Sequence, residues 1–402
     1  MAEIIRFTDC HVLREKGLVK EDLWVRNGKI ADPLKLFYNE KLRETVKVNC
    51  KGGIVAPGFI DVQINGAYGF DFSSDPANIG ESLRQVSKRL LRHGVTAFCP
   101  TVVTSSPEMY RQLLPHMKRT DGGADGAAII GVHLEGPFIS KEKKGAHNES
   151  FIQDAGAITP EEVQGAYGSL DNASIVTVAP ELNGLGDCSM IQWLSKEQNV
   201  CVSLGHSIAD LKVAEGAVAC GARFITHLFN AMLPFHHRDP GLVGLLSAGD
   251  VFYGVIADGV HTHKAALHLA YHSHPNGLVL VSDAMAAAGL GAGYHKLGTL
   301  QVHMTEDADG LLCARLADQQ ETLAGSVAML DFCVRWFHEA SHCSQAEALR
   351  TASTHPASLL KLESKGSLDI GKDADLVILD QDLNVERTFI AGQQVWPEAM
   401  CA

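Results

Sequence analysis

The sequence predicts an α/β chain whose central part closes into a (β/α)8 barrel. From residue 54 onward, eight short β-rich runs alternate with stretches of helical pattern. The runs are mostly continuous apolar segments, which is typical of parallel strands covered on both faces. Successive strand-then-helix units favour a closed barrel over an open doubly wound sheet. A dinucleotide-binding sheet is the alternative, but no G-x-G-x-x-G follows an early strand.

The predicted barrel strands have helical segments between them. In chain order the strands are 55–65, 96–104, 129–137, 175–180, 200–207, 224–232, 253–261 and 278–285. The segment 81–94 has an apolar stripe and ends at Gly94, a typical residue after a helix C-terminus. The segment 107–119 begins with Pro107, which fits the first position of a helix.

The two chain ends lie outside the barrel pattern. Residues 1–54 contain short β-like pieces with an Asn27-Gly28 turn signal, and 366–396 repeat this style. We therefore predict one small β domain from residues 1–54 plus 364–402, and a barrel domain over 55–363. Residues 297–325 are predicted to form a further β excursion.

Composition excludes several classes of function. The net charge is −13 and is spread without basic blocks, which argues against a nucleic-acid or membrane-surface partner. No apolar run approaches the ~18 residues that a membrane span needs. The start, MAEIIRFTDC, lacks the basic and apolar segments of a signal peptide. The ten cysteines include no C-x-x-C pair, so we expect reduced thiols and a cytoplasmic protein.

Polar side chains recur where the predicted strands end. In a barrel, the carboxyl ends of the strands and the loops after them build the active site. A lone acid or histidine there is often structural, but five strands share this feature. The residues are Glu135, His206, His227 (followed by Asn230), the pair Asp258 and His261, and Asp283.

These residue types indicate metal-assisted hydrolysis. Glu135, His206 and His227 offer one carboxylate and two imidazoles to a Zn²⁺-like ion and leave a position for water. Binding lowers the pKa of that water toward ~7. Asp283 is the remaining acid, and it suits a general base that passes the proton to a leaving amine. His261 is expected to polarise a substrate carbonyl.

Two basic segments are further candidates. FHHRDPG (235–241) is either an ordinary charged surface loop or an anion clamp, because the arginine fork matches phosphate oxygens. KEKKGAH (141–147) follows Glu135 closely, and we expect its lysines in solvent and His147 toward the site.

Several motifs together resemble one family. HLEGPF, the GHS of 205–207, THLFNAM (226–232), DGVH (258–261), SDAM (282–285) and LAGS (323–326) are similar to the N-acetylglucosamine-6-phosphate deacetylases of the amidohydrolase superfamily. The similarity runs from APGFIDVQING to GKDADLVILD, in the same order and with similar spacing. The resemblance implies a TIM barrel plus a small β-sandwich formed by the N- and C-terminal segments.

The resemblance also implies roles for individual residues. Glu135, His206 and His227 match the metal ligands, Asp283 the catalytic acid/base, and His261 a histidine near the substrate amide. Arg238, preceded by His237, matches a phosphate-contacting arginine whose loop reaches the site of a neighbouring subunit, which implies a homodimer. The other implied substrate contacts are Ala146, His147, Asn230, Ala231, Leu323, Ala324 and Gly325. One divalent ion per subunit is expected, with Zn²⁺ first and Fe²⁺, Co²⁺ or Mn²⁺ as alternatives.

The first barrel strand departs from the superfamily. Many amidohydrolases carry His-x-His there, which helps to bind a second metal, whereas this chain has Asp61-Val62-Gln63. Gln63 is a poor zinc ligand, so we expect a single-metal site. The alternative that the Asp61 carboxylate binds a second ion stays open.

The expected activity is hydrolysis of N-acetylglucosamine 6-phosphate to glucosamine 6-phosphate and acetate. The phosphorylated N-acetyl amino sugar is then the partner. A deacetylase of N-acetylgalactosamine 6-phosphate is the nearest alternative. Hydrolysis of a cyclic amide or deamination of a base is a second, and the absent His-x-His counts against it. A non-catalytic binding protein is a third, but it predicts a lost ligand or acid, and the sequence keeps all of them.

Overall fold

A computed structural model of the chain describes residues 3–154, 158–182, 186–247, 249–297, 300–307 and 310–398. Its strands are β1 (Ile4–Thr8), β2 (His11–Arg14), β3 (Gly17–Lys20), β4 (Leu23–Arg26), β5 (Lys29–Ile30), β6 (Val46–Asn49), β7 (Ile54–Pro57), β8 (Phe59–Ile64), β9 (Gly66–Ala67), β10 (Phe70–Asp71), β11 (Val95–Val103), β12 (Ala128–Ile129), β13 (Val132–Glu135), β14 (Ala173–Val178), β15 (Cys201–Leu204), β16 (Phe224–Ile225), β17 (Phe252–Ile256), β18 (Leu278–Val281), β19 (Gly293–Leu297), β20 (Leu300–Glu306), β21 (Leu312–Leu316), β22 (Gln319–Leu323), β23 (Leu376–Leu379), β24 (Val385–Ile390) and β25 (Gln393–Trp396). Its α-helices are α1 (Ile79–Leu90), α2 (Pro107–Leu113), α3 (Pro160–Tyr167), α4 (Ser189–Gln192), α5 (Leu211–Cys220), α6 (Lys264–Ser273), α7 (Leu330–Ser341), α8 (Gln345–Thr351) and α9 (Thr354–Leu359).

The predicted barrel is confirmed. Eight strands pair in parallel in the order β8, β11, β13, β14, β15, β16, β17, β18. Hydrogen bonds just past the strand ends link the first and last strands: Asp283 N–H donates to the Gln63 carbonyl and Asn65 N–H to the Ala284 carbonyl, each at 2.8 Å. The barrel strands are almost wholly buried, as their continuous apolar runs predict.

The local signals for two crossover helices are also confirmed. The α1 helix continues as a 3-10 turn and ends at Gly94, which has a left-handed φ of 73°. An L-residue with a side chain rarely adopts this conformation, so glycine suits the position. Pro107 is the first residue of α2, and the Ser106 side chain accepts a hydrogen bond from Met109 N–H as its N-cap.

Two further sheets lie outside the barrel, and the six-stranded one combines strands from both chain ends. A four-stranded sheet has the order β5-β4-β1-β6, and a six-stranded sheet has the order β25-β24-β23-β7-β2-β3. Phe7, Val12, Leu376 and Phe389 are among the buried residues of one core formed from N-terminal and C-terminal segments. This arrangement matches the β-sandwich that the resemblance implies.

The predicted first barrel strand, 55–65, is two strands. Residues of β7 pair with β2 and β23 in the six-stranded sheet, whereas β8 pairs with β11 in the barrel. Gly58 separates them, and a Cβ atom there would lie 2.1 Å from Thr96 Oγ1. The chain passes between the two sheets at a point where only glycine fits.

An antiparallel sheet and a disulfide lie outside the barrel. The predicted β excursion is confirmed as the antiparallel sheet β19-β20-β21-β22, which begins a few residues earlier than expected. The expectation of reduced thiols is wrong for Cys188 and Cys220, which form a disulfide, because the start of α4 lies against the end of α5. Among the described residues, no helix has the length and apolar character of a membrane span.

Candidate active site

The five strands that carry polar residues deliver them to one end of the barrel. Glu135 is the last residue of β13. His206, His227 and Asp283 each lie two residues beyond the end of their strand. Each of the three has a positive φ, of 49°, 28° and 46° respectively. The predicted strands 200–207, 224–232 and 278–285 therefore extend too far, because the backbone leaves the β conformation at these three residues. Non-glycine residues with a positive φ often mark functional sites.

Three of these side chains converge on one point. Glu135 Oε1 lies 3.1 Å from His206 Nε2 and 2.9 Å from His227 Nε2. The two Nε2 atoms are 3.0 Å apart. In the described part of the chain, this is the one group of three metal-binding side chains whose ligand atoms all lie within 4.8 Å of one another.

The donor chemistry of this group fits a metal ion. His206 Nδ1 lies 2.8 Å from the Lys143 carbonyl, an acceptor, so Nδ1 carries the proton and Nε2 presents its lone pair. All three residues are at least nine-tenths buried, where closely spaced donors of this kind need a shared cation. Burial alone raises the pKa of Glu135, but the two histidines hold it well below its ordinary value. Burial lowers the pKa of His227, yet the carboxylate raises it overall. The group thus stabilises positive charge at its centre.

Asp283 is linked to the metal-ligand group by amides. Gln63 Nε2 donates to Glu135 Oε1 at 3.1 Å and to Asp283 Oδ1 at 3.3 Å. Asn65 Nδ2 donates to the same Oδ1 at 2.7 Å. Within the described residues, both side-chain hydrogen bonds to this carboxylate fall on Oδ1, which leaves Oδ2 to exchange a proton.

The environment of Asp283 suits a general base. Burial, followed by the charge of Glu135, raises its pKa to about 7. A general base works best when its pKa lies near the working pH. The two carboxylates of the site thus differ in protonation near pH 7, since Glu135 stays ionised and Asp283 can take up a proton.

His261 presents a charged donor at the rim. Its Nδ1 lies 2.6 Å from Asp258 Oδ2 and its Nε2 lies 3.0 Å from the Ala324 carbonyl. Both partners are acceptors, so both ring nitrogens carry protons and the imidazole is cationic. Burial lowers the pKa of His261, but Asp258 raises it overall. A cationic N–H near Asp283 is suited to a carbonyl oxygen that gains negative charge.

The predicted substrate-contacting residues fall into a group in the loops around the site and an exposed group. His147 is buried, and its ring centroid lies 4.4 Å from that of His206. Burial and then His206 lower the pKa of His147 to about 3, so its ring is neutral, with Nδ1 2.8 Å from Thr104 Oγ1. A Cβ on Gly325 would lie 2.9 Å from the Asp283 carbonyl. Ala146 lies in the loop after β13 and Asn230 and Ala231 in the loop after β16, whereas Leu323 is the last residue of β22 and Ala324 follows it.

His237 and Arg238 form the exposed group. Both are exposed in the loop before Gly241, next to Phe235, which is 60% exposed. Among the described residues, the Arg238 guanidinium has no hydrogen bond or ion pair. In the described part of the chain, no hydrogen bond or ion pair therefore links this arginine to the metal-ligand group.

Asp61 is not a member of the metal-ligand group. Its Oδ1 accepts weak hydrogen bonds from Gln63 N–H and Ser282 N–H, each at 3.3 Å, and burial raises its pKa to about 7. Gln63 occupies the space between Glu135 and Asp283 with a neutral amide. These positions agree with a single-metal site.

Sequence reasoning missed Asn65 and Glu181, and it named Asp258 as a strand-end residue without assigning its role. Asn65 holds Asp283, Asp258 holds His261, and Glu181 accepts hydrogen bonds from the Ser207 hydroxyl at 2.6 Å and from Ile208 N–H at 2.7 Å. Asn65 follows Gln63 by two residues, so strand alternation alone could have placed both on one face. Glu181 follows a strand that supplies no ligand, and the sequence carries no signal for it.

The chain is similar to known deacetylases over nearly its whole length. A relative from Rattus norvegicus named N-acetylglucosamine-6-phosphate deacetylase is 53% identical over 98% of this chain and 96% of its own length. A relative of the same name from Bacillus subtilis is 32% identical over 98% of this chain and 97% of its own length.

Solved structures of deacetylases with this name are similar to the chain as well. The N-acetylglucosamine-6-phosphate deacetylase of Thermotoga maritima aligns with a TM-score of 0.81 and 31% identity, covering 97% of this chain and 99% of that one. A mutant deacetylase of Mycobacterium smegmatis, in complex with N-acetyl-D-glucosamine-6-phosphate, aligns with a TM-score of 0.82 and 28% identity, covering 98% of this chain and 99% of that one.

The model of the amidohydrolase family matches residues 54–395, which include the whole barrel and the C-terminal strands. This match, the identity to the named relatives and the convergence of Glu135, His206 and His227 all agree with the resemblance drawn from the sequence motifs. The chain belongs to the amidohydrolase family.

Proposed function

We propose that the protein hydrolyses the acetamide of N-acetylglucosamine 6-phosphate to glucosamine 6-phosphate and acetate. The observation that carries the proposal is the placement of Asp283 beside the group of Glu135, His206 and His227, joined to it through Gln63. The relatives at 53% identity bear the name of this activity, and a structural neighbour is in complex with this sugar phosphate.

The chain's own residues supply the proton chemistry. A divalent ion held by Glu135, His206 and His227 would act as a Lewis acid toward a water molecule and the acetamide carbonyl. Asp283 Oδ2 takes a proton from the attacking water as the new C–O bond forms. It then delivers that proton to the amine nitrogen as the C–N bond breaks. The cationic His261 exchanges its Nε2–H bond to the Ala324 carbonyl for one to the substrate carbonyl oxygen as negative charge develops there.

We infer that the ion is Zn²⁺. One oxygen and two nitrogen donors with a free position match catalytic zinc sites. The same donors also suit Fe²⁺, Co²⁺ and Mn²⁺, whose relative availability decides occupancy in many proteins. Metal analysis of the purified protein, followed by chelation and add-back of each ion, identifies the ion that restores activity.

We further propose a homodimer in which Arg238 of one subunit binds the substrate phosphate in the site of the other. The exposure of Arg238 and Phe235 and the lack of a described partner for the Arg238 guanidinium support this arrangement. Mixing Arg238→Ala with Asp283→Asn subunits tests it, because a mixed dimer then contains one intact composite site. Recovery of up to about a quarter of wild-type activity is expected, and no recovery from stable mixed dimers would contradict the arrangement.

A cytoplasmic location also stays a proposal. The net charge of −13 and the absence of a disulfide at most of the described cysteines support it. The disulfide between Cys188 and Cys220 does not. Thiol titration of protein taken directly from cells, with and without prior reduction, tests whether that bond exists there.

A panel of N-acetylated sugars tests the proposed reaction. Acetate release is measured from N-acetylglucosamine and N-acetylgalactosamine, each with and without a 6-phosphate, after chelation and metal add-back. Metal-dependent release that is fastest from N-acetylglucosamine 6-phosphate supports the proposal. Faster release from the galactosamine compound would change the substrate assignment, and equal rates with and without phosphate would refute the role of Arg238.

A further inference from the structure

A strained tyrosine follows the first barrel strand. Tyr68 and Gly69 form the turn of the short β9–β10 hairpin, with φ values of 54° and 87°. Two successive positive φ values define a turn that favours asparagine, aspartate or glycine, so a bulky tyrosine at its first position is conformationally unfavourable. A strained residue of this kind persists only where its surroundings hold it in place, and here the side chain of Tyr68 makes such contacts.

The tyrosine hydroxyl enters a half-buried chain of polar side chains. Tyr68 Oη lies 2.6 Å from His93 Nε2, and His93 Nδ1 lies 2.8 Å from Asp331 Oδ1. Because Nδ1 faces a carboxylate, it donates, and Nε2 then accepts from the tyrosine hydroxyl in the neutral ring. Arg335 NH1 donates to the other carboxylate oxygen of Asp331 at 3.1 Å. We call Tyr68, His93 and Asp331 the tyrosine relay.

The relay joins separate elements of the barrel. Tyr68 belongs to the loop after β8, His93 to the 3-10 turn after α1, and Asp331 to the first turn of α7. The Arg89 guanidinium also lies 5.5 Å from the ring centroids of Tyr68 and Phe70. The hairpin, whose strands are only two residues long, is thus anchored mainly by contacts outside itself.

The same hairpin contacts the loop that carries Asp283. Tyr68 N–H donates to the Ala288 carbonyl and Gly69 N–H to the Ala286 carbonyl, each at 2.7 Å. The Tyr68 ring fills the space where a side chain of Gly289 would stand, at 2.3 Å from its ideal Cβ. Asn65, at the start of the hairpin, donates to Asp283 Oδ1.

We propose that the tyrosine relay positions Asp283 for proton transfer, through the hairpin and Asn65. Tyr68, His93 and Asp331 are positioning residues, since no described contact joins them to Asp283 directly. The inference rests on the proposed deacetylase reaction. Loss of the relay should loosen the hairpin against the 284–290 loop and move the carboxylate, while the metal ligands on other strands stay in place.

Tyr68→Phe is the primary test, because it removes one hydroxyl and keeps the ring that packs on Gly289. We expect kcat on N-acetylglucosamine 6-phosphate to fall about tenfold, as misplacement of a catalytic group by a fraction of an ångström can produce. KM should stay within about twofold, and the metal content per subunit should equal that of the wild type. Amide hydrogen exchange over 65–71 and 284–290 should become faster.

Tyr253→Phe is the matched control. Tyr253 is buried, and its hydroxyl donates to the Ala270 and His274 carbonyls on the outer side of the barrel. This variant should lose thermal stability while keeping kcat. Asp331→Asn is a second variant, and a smaller fall in kcat in the same direction is expected.

A kcat of Tyr68→Phe within twofold of the wild type, or an equal fall of kcat in Tyr253→Phe, would overturn the relay's role. Failure of the proposed function looks different, because the wild type itself would then release no acetate from this substrate.

Discussion

Two layers of polar residues lie inside the barrel, and they use histidine in opposite ways. In the lower layer, His133 is fully buried, with Nδ1 3.1 Å from the Val62 carbonyl and Nε2 2.7 Å from Thr177 Oγ1. In the upper layer, His206 and His227 direct their Nε2 atoms at one carboxylate oxygen and at each other. The two layers are close along the sequence, since His133 of the lower layer and Glu135 of the upper layer lie on the same strand.

The difference lies in whether the ring nitrogens are already satisfied. Thr177 Oγ1 is 2.7 Å from Thr226 Oγ1, which is 2.5 Å from Ser203 Oγ, so the lower layer closes on itself through neutral hydrogen bonds. Burial lowers the pKa of His133 to about 4, which keeps it uncharged. The upper layer has more lone pairs than protons at its centre and is therefore suited to a cation. A buried histidine becomes a candidate ligand when its second nitrogen lacks a neutral partner.

Loss of an upper-layer ligand should have the largest effect. His227→Ala removes one of three metal donors, so we expect metal content to fall severely and kcat/KM to drop by about a thousandfold or more. Elemental analysis and acetate release measure the two quantities. A variant with full metal content and near-normal activity would remove His227 from the metal site.

The next largest effect should come from Asp283→Asn. The amide keeps the shape of the side chain but cannot take up a proton, so kcat should fall by about 10²- to 10⁴-fold. Metal content should stay at the wild-type level, because none of the three ligands is changed. Near-normal turnover by the metal-loaded variant would exclude Asp283 as the acid/base.

Asn65→Ala should act through the pKa of Asp283. The Asn65 hydrogen bond lowers that pKa within an environment whose burial raises it to about 7. Without the hydrogen bond the pKa rises, and because the base works in its ionised form, activity is lost at a higher pH as the solution is acidified. We expect the acidic limb of the kcat/KM profile to move upward and activity at pH 7 to fall about three- to tenfold. An acidic limb at the wild-type position would show that Asn65 does not tune this carboxylate.

His133→Ala should change activity least and stability most. It leaves Thr177 and the Val62 carbonyl without their buried partner, so the free energy of unfolding should fall by about 2–4 kcal/mol. Metal content should be retained, and kcat should stay within about fivefold of the wild type. Chemical denaturation and metal analysis measure this, and loss of metal would mean that the two layers are coupled rather than distinct.

Much of the site follows from the order of residues along the chain. Parallel strands in a closed barrel place their carboxyl ends together, so Glu135, His206, His227 and Asp283 had to meet once eight strand–helix units were identified. The extents of the strands were less predictable. Apolar residues continue past β16, but the positive φ values at His227, Phe229 and Ala231 end the strand after two residues.

Other features depended on contacts between distant segments. Gly58 separates two strands because Thr96 lies against it, and nothing in the run APGFID shows that contact. Cys188 and Cys220 form a disulfide because α4 and α5 are neighbours around the barrel. The exposed position of Arg238 likewise depends on how its loop leaves the barrel.

The sequence by itself determined the barrel, the sharing of its small β domain between both chain ends, and the chemical types gathered at the strand ends. These depend on periodicity and on strand direction, which are local properties. Only the tertiary structure decided which atoms face one another. It placed the Gln63 amide between Glu135 and Asp283, a carbonyl on His206 Nδ1, and two acceptors on His261. The physical reason is that tautomer, charge and pKa are set by neighbours within about 3 Å, and those neighbours come from elements far apart in the chain.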